Sequence, residues 1–174
     1  AFRWQKLPEG WTGIIGRRSV RLHKEPDAIR AETFSKPGDW NWLTHYLQVD
    51  VHLPGVLKSF PSDQTMQSAI THCHGLRLLR QDPWECLASF ILSSTKQIVQ
   101  IQQIISLLTE RFGQRVPTPK ESAPAYTFPT AGVITKLTEA DLRSCKMGFR
   151  APYLLATARH VCGSFDLRSV SKME

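Results

Sequence analysis

Cysteine is scarce in this sequence. The four present, Cys73, Cys86, Cys145 and Cys162, form no CxxC pair. That argues against a zinc ribbon and fits isolated thiols in a reducing interior better than a disulfide scaffold. Cys86 stands in an apolar segment and is expected to be a buried thiol. The nearest approach to a metal motif is His72-Cys73-His74, which is too short to wrap one ion tetrahedrally. No apolar run reaches the roughly 18 residues that a membrane span needs. The opening Ala1-Phe2-Arg3-Trp4 is not a signal peptide, and residue 1 is not Met. Internal repeats and low-complexity tracts are also missing.

What is present is a 174-residue chain with 41% hydrophobic residues, enough for a core. Its formal net charge is +7. Residues 1–60 hold nine basic and six acidic side chains, and residues 61–174 hold thirteen and nine. The excess is spread out, so it favours a polyanion partner without demanding one.

The first 34 residues read as strands. Trp11 to Ile15 carries Gly13, where a bend or bulge is expected. Val20 and Leu22 take one face, and Arg21 and His23 the other. Glu25-Pro26-Asp27 signals a turn, and Ile29 to Phe34 another strand. Ser35 to Asp39 is a linker. Helical spacing follows, over Trp40 to Leu47, Val51 to Phe60, and Ser62 to His72 with Ser62 as N-cap. The strongest start signal is Asp82-Pro83-Trp84-Glu85: an acid cap, proline at N1 and glutamate at N3. Trp84, Leu87 and Ile91 fall on one side of that helix. A second long helix runs from about Lys96 to Phe112, ending at Gly113. Ser93-Ser94-Thr95 separates the two and could cap the second. Arg115 to Thr127 predicts loop, and 130–135 and 139–145 short helices. Thr138 and Asp141 form an approximate capping box. Pro152 to Cys162 predicts another helix, and Phe165 to Met173 the start of one more, inside which the chain ends.

The stretch Gly75-Leu76-Arg77-Leu78-Leu79-Arg80-Gln81-Asp82-Pro83-Trp84-Glu85-Cys86-Leu87, continued by Ser89 to Ser94, resembles the signature of 8-oxoguanine DNA glycosylase/AP lyases of the helix-hairpin-helix superfamily. Phe2-Arg3-Trp4 resembles their first strand, and Tyr46 to Val51 their linker. Phe112-Gly113, Phe128-Pro129 and Gly148 to Tyr153 keep the order. The resemblance implies an α+β fold. Residues 1–60 would be a small antiparallel β-domain like the TATA-binding protein, with covering helices. Residues 61–174 would be part of the all-α glycosylase domain. No LPGVG-type hairpin with its catalytic lysine and following aspartate occurs in the sequence, and Lys172 has no hairpin around it. The chain alone is therefore expected to be inactive. The expected partners are double-stranded DNA containing oxidised guanine and the absent segment, as a continuation or as a second chain.

In the complete protein the resemblance implies base excision. The lysine attacks C1′, the base leaves, and β-elimination through the Schiff base follows. No metal or organic cofactor is implied. Location would be the nucleus in a eukaryote, or the cytoplasm and nucleoid in a prokaryote. The competing readings are a noncatalytic damaged-DNA-binding protein and a structural helical domain whose basic surface is incidental.

A base reached by such an enzyme is turned out of the duplex, and side chains fill the gap. The resemblance places Thr95, Lys96 and Gln97 at the plugging junction, where family members usually have asparagine first. It places Gln100 where they have an arginine toward the orphaned cytosine. Thr95 offers no amide and Gln100 no charge, so reading of the opposite base is expected to be weaker. The bland readings are an N-cap for Thr95 and a solvated face for Gln100. Phe149 is the expected wedge, and Arg150 a donor to orphan base or phosphate. The bland reading there is Phe149 in the core and Arg150 on the surface. Arg143, Lys146, Arg150 and Arg159 lie in a stretch without acids, which adds a positive field.

Overall fold

The computed structural model describes residues 2–36, 38–120, 122–167 and 169–172. They form two compact units, one of residues 1–36 with 81–174 and one of residues 37–80. This partition follows packing and differs from a cut after residue 60.

The first unit opens on a four-stranded antiparallel meander, β1 Gln5–Leu7, β2 Gly10–Ile15, β3 Arg18–Lys24 and β4 Ile29–Thr33, in that order. Ile15 pairs Arg18 across a two-residue turn, and Gly16 supplies its positive φ of 56°. Gly13 does not bulge: it pairs Val20 in regular register. Its bareness has another cause, since a Cβ there would sit 2.6 Å from the Trp4 ring. Alternation along β3 is only partly kept, because His23 is buried as well as Val20. His23 Nδ1 lies 2.9 Å from the Glu9 carbonyl, while Nε2 is buried without a hydrogen bond, 3.6 Å from the Glu32 carboxylate. The first strand starts at Gln5 rather than Phe2. Phe2 instead packs on the helical core, and Arg3 reaches Glu85 at 3.3 Å and donates to the Tyr126 carbonyl.

The second unit holds α1 Asn41–Leu47, α2 Leu53–Lys58 and α3 Gln64–His72. Asp63, not Ser62, caps α3, its carboxylate accepting the Met66 N–H at 3.0 Å. The segment after α3 is tied back by backbone groups. Arg77 donates to the carbonyls of Gln48 and Val51, and Arg80 N–H to that of Tyr46.

The helices of the first unit are α4 Pro83–Ser93, α5 Ile98–Phe112, α6 Ala131–Ile134, α7 Glu139–Arg143 and α8 Arg150–Gly163. Asp82 caps α4 through the Glu85 N–H at 2.9 Å, the role its sequence context predicts. The buried stripe of α4 is Ala88, Ser89 and Leu92, and Trp84, Leu87 and Ile91 flank it half-buried. Thr138 and Asp141 close the expected capping box, and the Thr138 hydrogen bonds hold the Asp141 carboxyl below its usual range. Leu108, Ile134, Leu142, Met147 and Leu154 are fully enclosed in one apolar cluster. The expected loop 115–127 contains a short ladder, β5 Arg115–Val116 with β6 Ala125–Tyr126. Among the described residues beyond α8, a 3₁₀ turn forms over Ser169–Lys172 in place of the expected helix. Its Ser-Val-Ser sequence has weak helix propensity. Arg168, Met173 and Glu174 of the helix expected there lie outside the described residues.

Candidate nucleic-acid interface

Three chain segments meet where α4 ends, α5 begins and α8 begins. Ser94 leaves α4 with φ −51° and ψ 122°. Thr95 then takes φ +55°. Its Cβ branch makes that left-handed conformation costly, by roughly 1–2 kcal/mol. One further residue on, the chain is gathered again. Lys96 N–H bonds the Ser93 carbonyl at 3.1 Å. Gln97 is the N-cap of α5, and its N–H donates to Gln100 Oε1 at 3.2 Å. Thr95 is therefore not the cap of α5. Gln100 is exposed as expected, but its amide closes the first turn.

The approach to α8 is shaped by two left-handed residues, Lys146 at φ +63° and Gly148 at φ +59°. Between them Met147 is driven into the core, and after them Phe149 is turned outward. Phe149 is 53% exposed, and Arg150, the next residue, is 2% exposed. The bland expectation of a core phenylalanine and a surface arginine is thus inverted. The Arg150 guanidinium donates through Nη2 to the Ser94 carbonyl and, at 2.7 Å, to Thr95 Oγ1. Nη1 lies 3.4 Å from the Met147 carbonyl, and Nε is buried with no partner. Its Cζ also sits 4.2 Å from the centre of the Phe149 ring, a cation–π contact.

The structure thus brings Arg150 into contact with both Thr95 and Phe149, and pairs Gln97 with Gln100. Lys96 is half-buried between these groups in sequence. The positive field is smaller than the count of basic residues implies. Arg143 is paired with Glu139 at 2.6 Å, and Arg150 is enclosed. Lys146 and Arg159 remain exposed. The residues that sequence reasoning missed are Ser94 and Met147, which act through backbone carbonyls and carry no side-chain signal. Gly148, next to Phe149, was the available hint.

Two other features complete the electrostatics. Burial pushes the Glu85 carboxyl above its ordinary value, while the Arg3 guanidinium pulls it back down. Cys86 is exposed, contrary to expectation, because it faces away from the stripe of Ala88 and Leu92; Cys145 is the enclosed thiol. Burial raises the Cys145 pKa. Among the described residues no group of three His, Cys, Asp or Glu gathers as metal ligands, and no helix is long and apolar enough to cross a membrane.

Residues 1–87 match the family described as 8-oxoguanine DNA glycosylase, N-terminal domain. The chain is 37% identical over 176 residues to the N-glycosylase/DNA lyase of Saccharomyces cerevisiae, covering 91% of the chain and 46% of that protein. It is 27% identical over 164 residues to an N-glycosylase/DNA lyase of Arabidopsis thaliana, covering 90% and 44%. The chain thus spans about half the length of these curated relatives. Among solved structures, a Clostridium acetobutylicum 8-oxoguanine glycosylase/lyase in complex with dsDNA containing cytosine opposite 8-oxoG superimposes with a TM-score of 0.89. Identity there is 27%, over 100% of this chain and 60% of that one.

Proposed function

We propose, from the premise that this chain belongs to the 8-oxoguanine DNA glycosylase family, that it forms the duplex-opening portion of a base-excision repair glycosylase acting on oxidised guanine. The complete enzyme would remove the base and cleave the resulting abasic site. The share of that work assigned to these residues is mechanical. An exposed aromatic ring on a rigid helix start parts the stack, and the adjacent junction occupies the space left by the extruded nucleotide. The observation that carries this reading is the outward Phe149 ring stacked on the Arg150 guanidinium, which also donates to Thr95 at the junction.

The pieces suit that task. Phe149 follows the left-handed Gly148, so its ring is presented by backbone geometry rather than by a flexible loop. Thr95, Gln97 and Gln100 add exposed polar groups where α4 gives way to α5. Lys146 and Arg159 supply exposed positive charge for phosphates. Lys96 stands within the junction and completes the set. With Thr95 and Gln100 in place of asparagine and arginine, fewer donors face an orphaned base, so discrimination among opposite bases is expected to be shallow.

The test is a duplex carrying 2-aminopurine beside the lesion, whose fluorescence rises when it unstacks. The chain should raise that signal, and Phe149→Ala should remove most of the rise and weaken binding about tenfold, since stacking of one base on an aromatic ring is worth on the order of 1–3 kcal/mol. An unchanged signal in a folded Phe149→Ala variant would mean that the ring does not enter the duplex.

A further inference from the structure

We infer that one face of the four-stranded sheet carries a second binding site, a cavity that takes a small phosphate monoester on Arg21 and Ser19. It is built on β3 rather than where α4, α5 and α8 meet, so it stands independently of the duplex-opening role proposed above.

The site follows from the register of the meander. Ser19 and Arg21 are two residues apart on β3, so their side chains leave the sheet on the same face, roughly 7 Å apart along the strand. Ile14 and Thr12 stand across from them on β2. Between this face and the chain segment that carries Pro119 and Pro124 lies a cavity of about 320 Å³. Small-molecule pockets begin at roughly 300 Å³, so the space exceeds what a bare ion fills.

The donors inside it are unanswered. Arg21 is half-buried, and its Nε is enclosed with no hydrogen-bond partner. Ser19 is 6% exposed, and among the described residues its hydroxyl has no partner either. A buried donor without an acceptor is costly, and a cationic one more so. No carboxylate relieves it: among the described residues no Asp or Glu lines the cavity. Glu32 stands opposite Arg21 on β4, but its carboxylate accepts from Arg30 at 3.2 Å and lies 3.6 Å from His23 Nε2. Arg3 also borders the cavity, and it donates to Glu85 and to the Tyr126 carbonyl. The Thr12 hydroxyl is given to the Val20 carbonyl at 3.3 Å.

The donor set selects the ligand. The edge of a guanidinium presents Nε–H beside one Nη–H, which matches two oxygens of a single anion. A carboxylate would use that edge and nothing more. Phosphate carries a further oxygen out of that plane, and the Ser19 hydroxyl on the same sheet face is the donor for it. The apolar part of the lining, Leu7, Ile14 and Phe34, suits the organic group of an ester.

The experiment titrates the 174-residue chain with phenyl phosphate, inorganic phosphate and acetate at constant ionic strength. Binding is followed through the Arg21 Nε–H resonance and the thermal midpoint. Phenyl phosphate should bind saturably, at least threefold tighter than inorganic phosphate and at least tenfold tighter than acetate. Arg21→Gln should weaken it by about tenfold or more, as loss of a charge-assisted hydrogen bond gives. Ser19→Ala should weaken phenyl phosphate about threefold and leave acetate unchanged. Without ligand, Arg21→Gln should melt no lower than the unaltered chain, because an unanswered buried cation is removed. With saturating phenyl phosphate only the unaltered chain should gain in midpoint. Absence of saturable binding, or binding undiminished in Arg21→Gln, overturns the inference. Acetate binding as tightly as phenyl phosphate overturns the choice of phosphate, and inorganic phosphate binding as tightly overturns the choice of an ester. Undamaged duplex DNA that displaces phenyl phosphate from Arg21 would assign the cavity to a nucleic-acid backbone and overturn the small ligand. Glu121, near this cavity in sequence, lies outside the described residues. If Glu121→Gln tightens phenyl phosphate tenfold or more, that carboxylate is the occupant and the inference falls. Should Arg21→Gln not fold, Ser19→Ala decides through its split between phenyl phosphate and acetate, and an equal effect on both overturns the inference.

Discussion

Glu85 shows how a single side chain can serve opposite demands. It lies in the first turn of α4, where negative charge suits the helix dipole, yet it is largely enclosed and tied to Arg3 at 3.3 Å. Burial is the larger influence, so its carboxyl titrates above the ordinary value in the folded chain. A carboxyl raised on folding favours the folded state below its unfolded pKa, and that contribution is lost as pH rises through the raised value. The consequence is specific. Glu85→Gln keeps an oxygen for Arg3 but cannot ionise, so its thermal midpoint should gain on that of the unaltered chain between pH 4 and pH 7. If the variant loses ground over the same range, the Arg3 attraction outweighs desolvation. At this scale legibility from sequence was uneven. Asp82 announced its capping role through the proline that follows it, because a cap is a local event. Arg150 gave no sign that it would be enclosed, because two of its acceptors, the Ser94 carbonyl and the Thr95 hydroxyl, come from a segment 55–56 residues away in sequence. Cys86 misled because an apolar neighbourhood in sequence does not state which face of a helix a residue takes.

Elements were more legible than residues wherever their ends carried chemistry. The starts of α4 and α7 follow from Asp82 and from the Thr138–Asp141 pair, and both caps form at hydrogen-bonding distance. The start of α5 was displaced to Gln97, since left-handed geometry at Thr95 takes that residue out of any capping role. Strand β2 offers the clearest case of one pattern with two causes. A glycine within a strand signals either a bulge or a close approach, and sequence alone does not choose between them. The regular pairing of Gly13 with Val20 chooses the second. Here the approaching group is the Trp4 indole, whose atoms lie 2.6–2.9 Å from where a Cβ would stand. Gly13→Ala should therefore destabilise the sheet by about 1–3 kcal/mol, the range of an overpacked interior, even though alanine is the better strand residue. Chemical denaturation should record a lower midpoint with an unchanged slope. A midpoint at or above that of the unaltered chain would show that the indole moves aside freely.

For the molecule as a whole the question is how a net charge of +7 is spent on a polyanion. The total misleads, because several cations are internally engaged. Arg3, Arg30 and Arg143 have carboxylate partners, Arg77 serves backbone carbonyls, and Arg150 is enclosed. Affinity for duplex DNA should then come from a few exposed side chains near the wedge and show a shallow salt dependence, the slope of log K against log salt scaling with phosphates neutralised. Position 100 is the place to change this. Gln100 is exposed at the first turn of α5, beside the junction, and contributes an amide oxygen to its own helix start. Gln100→Arg gives up that acceptor, a small loss in an exposed cap, and adds a planar cation with a fork of donors. If the first turn of α5 faces the duplex, binding should tighten and the salt slope steepen by about one unit, as for one added phosphate contact. If the side chain reaches the orphaned base, preference for cytosine over adenine opposite the lesion should also rise, by about tenfold, since each good contact to a base edge is worth on the order of 1–3 kcal/mol. Equilibrium binding over a series of salt concentrations, on duplexes that differ only in the opposite base, separates the two. A steeper slope without altered preference places residue 100 at the backbone. An unchanged slope and preference in a folded variant would turn the first turn of α5 away from DNA altogether and leave recognition to Phe149 and the junction.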